Sequence, residues 1–185
     1  MTVTTAKWSL EDYHRMISVG LLVGRHVELL NGEIINMAPE GPEHAQLSTD
    51  AADYLRELLV GQQALVRDAK PITLPESSSE PEPDLAVVEP RRVEYRTRHP
   101  YPENIFWLIE YANSSLSKDL DAKRKTYAAA AIKEYWIVDL KHRQVKIFRE
   151  PVDGDYRSEL TLTDGEISPL AFPEITVSVQ RLLEG

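Results

Sequence analysis

The sequence predicts a mixed α/β fold, with a central mixed β-sheet flanked by helices and an N-terminal β-hairpin. Three observations support this prediction: short apolar runs of strand length, a helix-forming segment between two of them, and an Asn-Gly pair near the N-terminus. The chain has 185 residues, enough for one hydrophobic core, and it contains no internal repeat or polar linker. We therefore expect a single domain over residues 1–185.

The N-terminal part is predicted to form a short helix and a hairpin. Ser9 can cap a helix from Leu10 to about Val19, with Asp12 completing an imperfect capping box. The pair Asn31-Gly32 separates two apolar-rich runs at 26–30 and 33–37. Because both residues of such a tight turn need positive φ, this pair is a strong signal for a β-hairpin.

A long amphipathic helix is predicted next, ending near Gly61. Its apolar residues recur at helical spacing and are Leu47, Ala51, Tyr54, Leu55 and Leu58. Short strands are then expected at 64–67 and 72–74. The Pro-, Ser- and Glu-rich stretch 75–83 is expected to form an exposed loop.

The second half of the chain is predicted to build most of the sheet. Strands are expected at 84–88, 105–111 and 134–139, with a helix from about 117 to 131 between the last two. The order strand, helix, strand implies a parallel pair with a right-handed crossover. The remaining predicted elements are strands at 145–148, 156–162 and 175–179 and a brief helix at 179–183.

Composition excludes several classes of protein. Cysteine is absent, which excludes disulfides, thiol nucleophiles and cysteine-held zinc. No apolar run approaches the roughly 20 residues that a membrane helix needs, and the N-terminus lacks the pattern of an export signal, so we expect a cytoplasmic protein with no membrane partner. The net charge of −9 argues against non-specific coating of nucleic acid. An acidic stretch at 75–90 is followed by a more basic one at 91–125, which fits either a metal site facing a phosphate backbone or an ordinary solvated surface.

Two carboxylates on predicted buried strands are the candidate metal ligands. Asp84 opens one apolar run and Glu110 ends the next. An ionised group removed from water costs several kcal/mol unless it is paired or metal-bound, so the two residues suggest a site for Mg²⁺ or Mn²⁺. Lys123 lies on the following predicted helix and shares a face with Asp119 and Tyr127. Lys123 could therefore reach both carboxylates and stabilise charge developing on a phosphodiester.

Several of these motifs, in this order, resemble the Uma-two family of restriction endonucleases, a branch of the PD-(D/E)XK nuclease superfamily. The residues that carry the resemblance are Pro83, Asp84, Glu110, Ser114, Ser115, Asp119, Lys123, Tyr127, the segments 28–33 and 134–139, and His44. The resemblance implies a restriction-endonuclease-like mixed sheet, a Mg²⁺-dependent nuclease site and a homodimer. It implies that Asp84 and Glu110 are the metal carboxylates and Lys123 the catalytic lysine. The wider superfamily has its lysine two residues after the glutamate, where this chain has Ala112.

Supporting roles are predicted for four further residues. Glu43 is a candidate for the metal-assisting acid that related nucleases carry on their first long helix, and His44 for a hydrogen bond to a ligand or a contact to substrate phosphate. Asp119 is expected to support Lys123 by an ion pair worth a few tenths of a kcal/mol or to cap the helix. Tyr127 is expected to pack. Glu28 and Glu33 are more typical of surface charges, although either could approach the site.

The predicted function is cleavage of DNA by a metal-activated water in one step. The candidate DNA-contacting residues are Arg91, Arg92, Arg96 and Arg98, which would otherwise form an ordinary soluble turn. Two alternatives stay open at this point. The chain could be a nuclease-fold protein that has lost catalysis and serves as a binding or dimerisation module, with Glu110 and Lys123 as a structural ion pair. It could also be a two-carboxylate hydrolase of sugars.

Overall fold

The structure is a computed structural model that describes residues 5–112 and 119–185, with side chains of the second range described from residue 121 onward. The helices are α1 Leu10–Ser18, α2 Pro42–Leu58, α3 Asp119–Ala129 and α4 Val179–Glu184. The strands are β1 Val27–Leu30, β2 Glu33–Asn36, β3 Leu65–Asp68, β4 Leu85–Val88, β5 Ile105–Ala112, β6 Glu134–Asp139, β7 Gln144–Val152, β8 Asp155–Leu162, β9 Glu166–Ile167 and β10 Val177–Ser178.

A six-stranded mixed sheet forms the centre of the molecule. Its strand order is β3-β4-β5-β6-β7-β8. Among the described strands of this sheet, β5 and β6 alone pair in parallel, and the other neighbours are antiparallel. The parallel pair is the one predicted from the order strand, helix, strand. The predicted fold class, a mixed sheet flanked by helices with an N-terminal hairpin, is confirmed.

Alternation along β5 sends successive side chains to opposite faces of this sheet. Trp107, Ile109 and Tyr111 pack with residues of α2 and α4 on one face. Leu108 and Ala112 pack with residues of α3 on the other face. Glu110 shares the parity of this second set, so its carboxylate is directed toward α3.

The hairpin β1–β2 has the predicted turn. Asn31 has φ 51° and Gly32 has φ 74°. A Cβ on Gly32 would lie 2.9 Å from Cβ of Lys7, so the N-terminal segment passes too close for any other residue. The predicted cap of α1 is also present, since the Ser9 side chain and Asp12 form a capping box.

Three local predictions were wrong. Residues 72–74 form no strand and make a single bridge, Leu74 to Ser79. The stretch 75–83 is not an exposed loop throughout, because Ser79 and Glu80 are buried and the Glu80 N–H bonds to the carbonyl of Leu29 at 2.7 Å. The strand predicted at 175–179 shortens to Val177–Ser178, which pairs with β9 rather than with the main sheet. Apolar content predicted extended backbone at 72–74 and 175–179 but could not give its partner, and the polar composition of 75–83 could not show that the hairpin covers it.

Among the described residues, no helix combines the length and the apolar character needed to cross a bilayer.

Candidate active site

A cleft of about 350 Å³ opens where the end of β5, the hairpin, the start of α2 and the second turn of α3 come together. The acidic and basic side chains that line it are Glu28, Glu40, Glu82, Asp84, Glu110, His26, His44 and Lys123. Among the described residues, five carboxylates therefore share the cleft with one lysine, an excess of negative charge that favours a cation.

Sheet register brings Asp84 and Glu110 together. Leu85 pairs with Ile109 across β4 and β5, and continuing this antiparallel register by one residue sets Asp84 opposite Glu110. Directly opposite residues have Cβ atoms about 5 Å apart. The backbone N–H of Tyr111 donates to Oδ2 of Asp84 at 2.6 Å, which orients this carboxylate.

Lys123 reaches the same point from α3. Its Nζ lies 3.0 Å from Oε1 of Glu110 and 3.3 Å from Oε2 of Glu28. All three residues are buried, with at most 8% of their surface exposed. Burial alone would lower the pKa of Lys123, but the two carboxylates outweigh it and raise the pKa above the usual lysine value. The side chain is therefore a fixed ammonium group.

Only one of the two carboxylate oxygens of Glu110 accepts hydrogen bonds from the described residues. Its Oε1 accepts from Nζ of Lys123 and, at 2.8 Å, from the hydroxyl of Tyr127. None of the described residues donates a hydrogen bond to Oε2. Burial raises the pKa of Glu110 to about 7 against the opposing pull of Lys123, with Asp84 and Glu28 adding to the rise. A cation at Oε2 would favour the ionised form.

His44 and Glu40 stand beside Asp84. One ligand atom of each of Glu40, His44 and Asp84 lies within 4.8 Å of the other two. Nε2 of His44 is 3.1 Å from Oδ1 of Asp84, yet its geometry gives no hydrogen bond and the buried nitrogen has no partner among the described residues. Burial works to lower the pKa of His44, but the proximity of Asp84, with Glu40 and Glu110 further off, raises it overall.

These donor atoms fit a divalent cation. Asp84 and Glu110 each offer a carboxylate oxygen, the ligand type that Mg²⁺ and Mn²⁺ prefer. The unpartnered Nε2 of His44 is a further donor in the same cleft. A buried polar atom without a hydrogen bond calls for an ion or a water.

The structure brings some predicted residues together and leaves others apart. Asp84, Glu110, Lys123, His44 and Tyr127 all lie at or directly behind the cleft, and Tyr127 donates a hydrogen bond to Glu110 in addition to packing. The side chain of Asp119 and the residues Ser114 and Ser115 lie outside the described part of the chain.

Glu43 does not line the cleft. Its exposed carboxylate lies 3.6 Å from Nη1 of Arg143. Neighbouring helical residues point about 100° apart, so Glu43 and His44 cannot both face Asp84. Glu40, two residues before the helix, is the acid of this region that lies close to both His44 and Asp84.

The four arginines of the 91–98 segment lie away from the cleft. The segment follows β4, whereas Asp84 precedes it, so the two sit at opposite ends of this strand. Arg91 pairs with Glu89 and Glu94, and Arg98 donates to Oδ1 of Asn104 at 3.0 Å. Arg92 and Arg96 are exposed.

Sequence reasoning missed two carboxylates of the cleft, Glu40 and Glu82, and treated a third, Glu28, as more typical of a surface charge that could approach the site. The available signal for Glu28 was its place inside the predicted run 26–30, between apolar neighbours. Its Oε2 accepts the backbone N–H of Glu82 at 3.1 Å, so it also ties the hairpin to the segment before β4.

Comparisons with known proteins agree with the resemblance seen in the sequence. The model of the Uma2 family, described as "Putative restriction endonuclease", matches residues 10–180. No curated protein matches the chain. Among solved structures, the crystal structure of a protein from Anabaena variabilis ATCC 29413, described as a putative nuclease belonging to DUF820, is similar in fold. Its TM-score is 0.73 at 15% identity, with 95% of this chain and 97% of that chain covered. The family match spans nearly the whole described fold, and the chain therefore belongs to the Uma2 family.

Proposed function

We propose that this protein is a single-domain, metal-dependent endonuclease that hydrolyses phosphodiester bonds in DNA with Mg²⁺ or Mn²⁺. The observation that carries the proposal is the 3.0 Å contact between Lys123 and Glu110 in a cleft that Asp84 also lines. Membership of a family described as restriction endonucleases supports the same reaction class.

Asp84 would hold the cation through Oδ1, because its Oδ2 accepts the backbone N–H of Tyr111. Glu110 would hold it through Oε2, because its Oε1 accepts from Lys123 and Tyr127. When bound, the cation supplies a Lewis acid that withdraws charge from the phosphate and makes water more acidic. The hydrogen bonds on the opposite oxygens fix both carboxylates before substrate arrives, which reduces the reorganisation needed during reaction.

Lys123 supplies the positive charge for the transition state. Because its raised pKa keeps it protonated, it cannot accept a proton from water at neutral pH. It can donate a hydrogen bond to a phosphate oxygen, or orient the attacking water, while Glu110 and Glu28 hold its position. Fixed donors aimed at developing negative charge usually contribute a large share of such catalysis.

The proposal also covers the residues that contact DNA, the oligomeric state and the location of the protein. Arg92 and Arg96, with Arg91 and Arg98 beside them, are proposed to contact DNA phosphates beyond the cleft, which requires a substrate that extends along β4. A homodimer would present two clefts to the two strands of a duplex. We also propose a cytoplasmic location, where such a substrate is available.

Plasmid cleavage with Mg²⁺ or Mn²⁺ tests the proposal. Lys123→Met keeps the aliphatic stem but removes the charge, and Lys125→Met is the matched control because Lys125 is exposed on the same helix. We expect Lys123→Met and Glu110→Gln to lower the cleavage rate by roughly 100-fold or more, with Lys125→Met unchanged and circular dichroism showing all variants folded. A wild-type protein that binds plasmid but cuts no faster than Glu110→Gln would instead be a binding module.

A further inference from the structure

One wall of the cleft is apolar, although much of the remaining lining is charged. Ile35 lies on β2, Met37 follows the end of that strand, and Pro39 belongs to the loop that leads to α2. All three residues line the cleft. Ile35 and Met37 are partly exposed and Pro39 is exposed. This apolar wall is therefore accessible to a group that occupies the cleft.

Hairpin register sets the apolar wall beside Lys123. Glu28 pairs with Ile35 across β1 and β2, and directly opposite residues project from the same face of a strand pair. Oε2 of Glu28 lies 3.3 Å from Nζ of Lys123. Met37 has the parity of Ile35, and its N–H donates to the carbonyl of His26 at 2.9 Å, so the pairing continues past β2. The wall thus begins next to the ammonium group proposed to contact the scissile phosphate.

The chemistry of the wall suits a nucleobase rather than a further phosphate. Among the described lining residues, five carboxylates accompany one lysine, so a second phosphate in the cleft would be repelled. Isoleucine, methionine and proline are among the side chains that DNA-binding proteins insert between bases. The volume of about 350 Å³ lies in the range of roughly 300–1,000 Å³ that small-molecule sites have. It is enough for one nucleotide and too small for a base-paired stack.

The depth of the site leads to the same requirement. Glu110 and Lys123 are exposed by 5% and 8%, so a phosphate that reaches them must leave the outer surface of a regular duplex. This movement pulls the attached nucleotide out of its stack. Unstacking costs a few kcal/mol and is least costly for a nucleotide that has no pairing partner.

We propose that Ile35, Met37 and Pro39 form a subsite for an unstacked nucleobase next to the scissile phosphate, so that the cleft takes DNA with an unpaired nucleotide in preference to a continuous duplex. This inference rests on the proposed function, since it names the class of DNA that the same cleft accepts. Packing on an apolar wall involves no hydrogen bond to a base edge. The preference is therefore for the conformation of the strand and not for its sequence.

Fluorescence anisotropy in Ca²⁺, which prevents cutting, tests the subsite without reference to cleavage. The probes are two labelled duplexes of the same sequence, one continuous and one with a single bulged thymidine. Met37→Gln keeps the length of the side chain but makes it polar, whereas Met37→Leu keeps it apolar. Leu160→Gln is the matched control, because Leu160 is exposed on β8 and does not line the cleft. Circular dichroism checks that each variant is folded.

We expect the wild type to bind the bulged duplex at least about tenfold more tightly than the continuous duplex. Met37→Gln should reduce this ratio by at least about fivefold, because it removes apolar contact with the base, and should leave affinity for the continuous duplex unchanged. Met37→Leu and Leu160→Gln should keep the wild-type ratio. A 2-aminopurine in the bulge should gain fluorescence on binding to the wild type as it leaves the stack, and should gain less with Met37→Gln.

Equal affinity of the wild type for the two duplexes would overturn the inference, and so would a preference that Met37→Gln retains in full. If either result occurred in a protein whose plasmid cleavage depends on Glu110, the proposed function would stand and the subsite alone would fail. A preference that depends on Met37, in a protein that cuts no DNA with Mg²⁺ or Mn²⁺, would support the subsite while the nuclease assignment failed.

Discussion

The ammonium group of Lys123 lies 3.3 Å from the carboxylate of Glu28, so α3 and the N-terminal hairpin meet inside the cleft. Glu28 also accepts the backbone N–H of Glu82, which places it between α3 and the segment leading to Asp84. The hairpin is thus part of the site and not only an addition to the fold. This arrangement makes Glu28 a positioning residue for Lys123.

Glu28→Gln should lower the cleavage rate about 10-fold to 100-fold, because it removes one of the two carboxylates that pair with the buried ammonium group of Lys123. The amide keeps the shape of the side chain but removes the charge that holds Lys123 and helps to keep its pKa raised. Plasmid cleavage and circular dichroism measure activity and folding. Glu33→Gln is the control, since Glu33 is exposed on the other strand of the hairpin and pairs with Lys7. Equal activities of the two variants would argue against a role for Glu28.

Tyr127→Phe should lower the free energy of unfolding by about 2 kcal/mol, because it removes a donor from the buried carboxylate of Glu110. Tyr135→Phe is a close control. Tyr135 is also buried and packs edge-on against Tyr127, but its hydroxyl has no partner among the described residues. Its loss should leave stability unchanged or raise it, because no hydrogen bond is lost and a buried unsatisfied hydroxyl is removed. Urea unfolding measures the free energy of unfolding of both variants. Equal values for Tyr127→Phe and Tyr135→Phe would show that the hydrogen bond to Glu110 contributes little.

Much of the site could be predicted because its main residues lie at the ends of recognisable strands and on one helix. Asp84 and Glu110 flank apolar runs, and Lys123 follows the second run at a distance that one crossover can span. Local sequence also specified the hairpin, since Asn31 and Gly32 are suited to positive φ.

The remaining site residues depended on tertiary contacts that periodicity does not encode. Glu40 lies in a polar loop where an acid is ordinary, and only the packing of α2 brings it to Asp84. Glu28 could have faced either side of a two-stranded hairpin. The bridge between Leu29 and Glu80 fixes the hairpin against the core and thereby determines which way Glu28 faces. Apolar periodicity likewise could not show that 72–74 lacks a neighbouring strand.

Arg149→Met should destabilise the fold by about 3 kcal/mol, because it leaves the fully buried carboxylate of Glu134 without its cation. Nε and Nη2 of Arg149 both donate to Oε1 of Glu134, at 2.8 and 2.6 Å. The matched control is Arg56→Met. Arg56 pairs with Asp53 and Asp68 on the surface, where such pairs contribute about 0–1 kcal/mol. Thermal or urea unfolding measures the stability of both variants. A loss of only about 0–1 kcal/mol in Arg149→Met, as for a surface pair, would contradict the expectation.

The double change Arg92→Ala and Arg96→Ala should reduce the salt dependence of DNA binding. Each phosphate contact contributes about 0.9 to the slope of log K against log salt, so the slope should fall by roughly 2. Fluorescence anisotropy with a labelled duplex, in Ca²⁺ to prevent cutting, measures the slope. Arg157→Ala is the control, because Arg157 is exposed on β8 at the far edge of the sheet. An unchanged slope in the double variant would remove this loop from the proposed interface.

Asp139 should make stability depend on pH in the acid range. Burial alone would raise the pKa of Asp139, but hydrogen bonds from Gln144 and His142 outweigh it and lower the pKa. A lowered folded-state pKa means that the stabilisation is complete above the unfolded value of about 3.9 and is lost as pH falls through the folded value. Asp139→Asn should therefore cost about 1–2 kcal/mol at pH 7, and the difference from wild type should shrink below about pH 4. Urea unfolding at several pH values measures this difference in stability. Asp164→Asn is the control, because Asp164 is exposed. A cost that stays constant from neutral to acid pH would mean that the ionised carboxylate is not the source of the stabilisation.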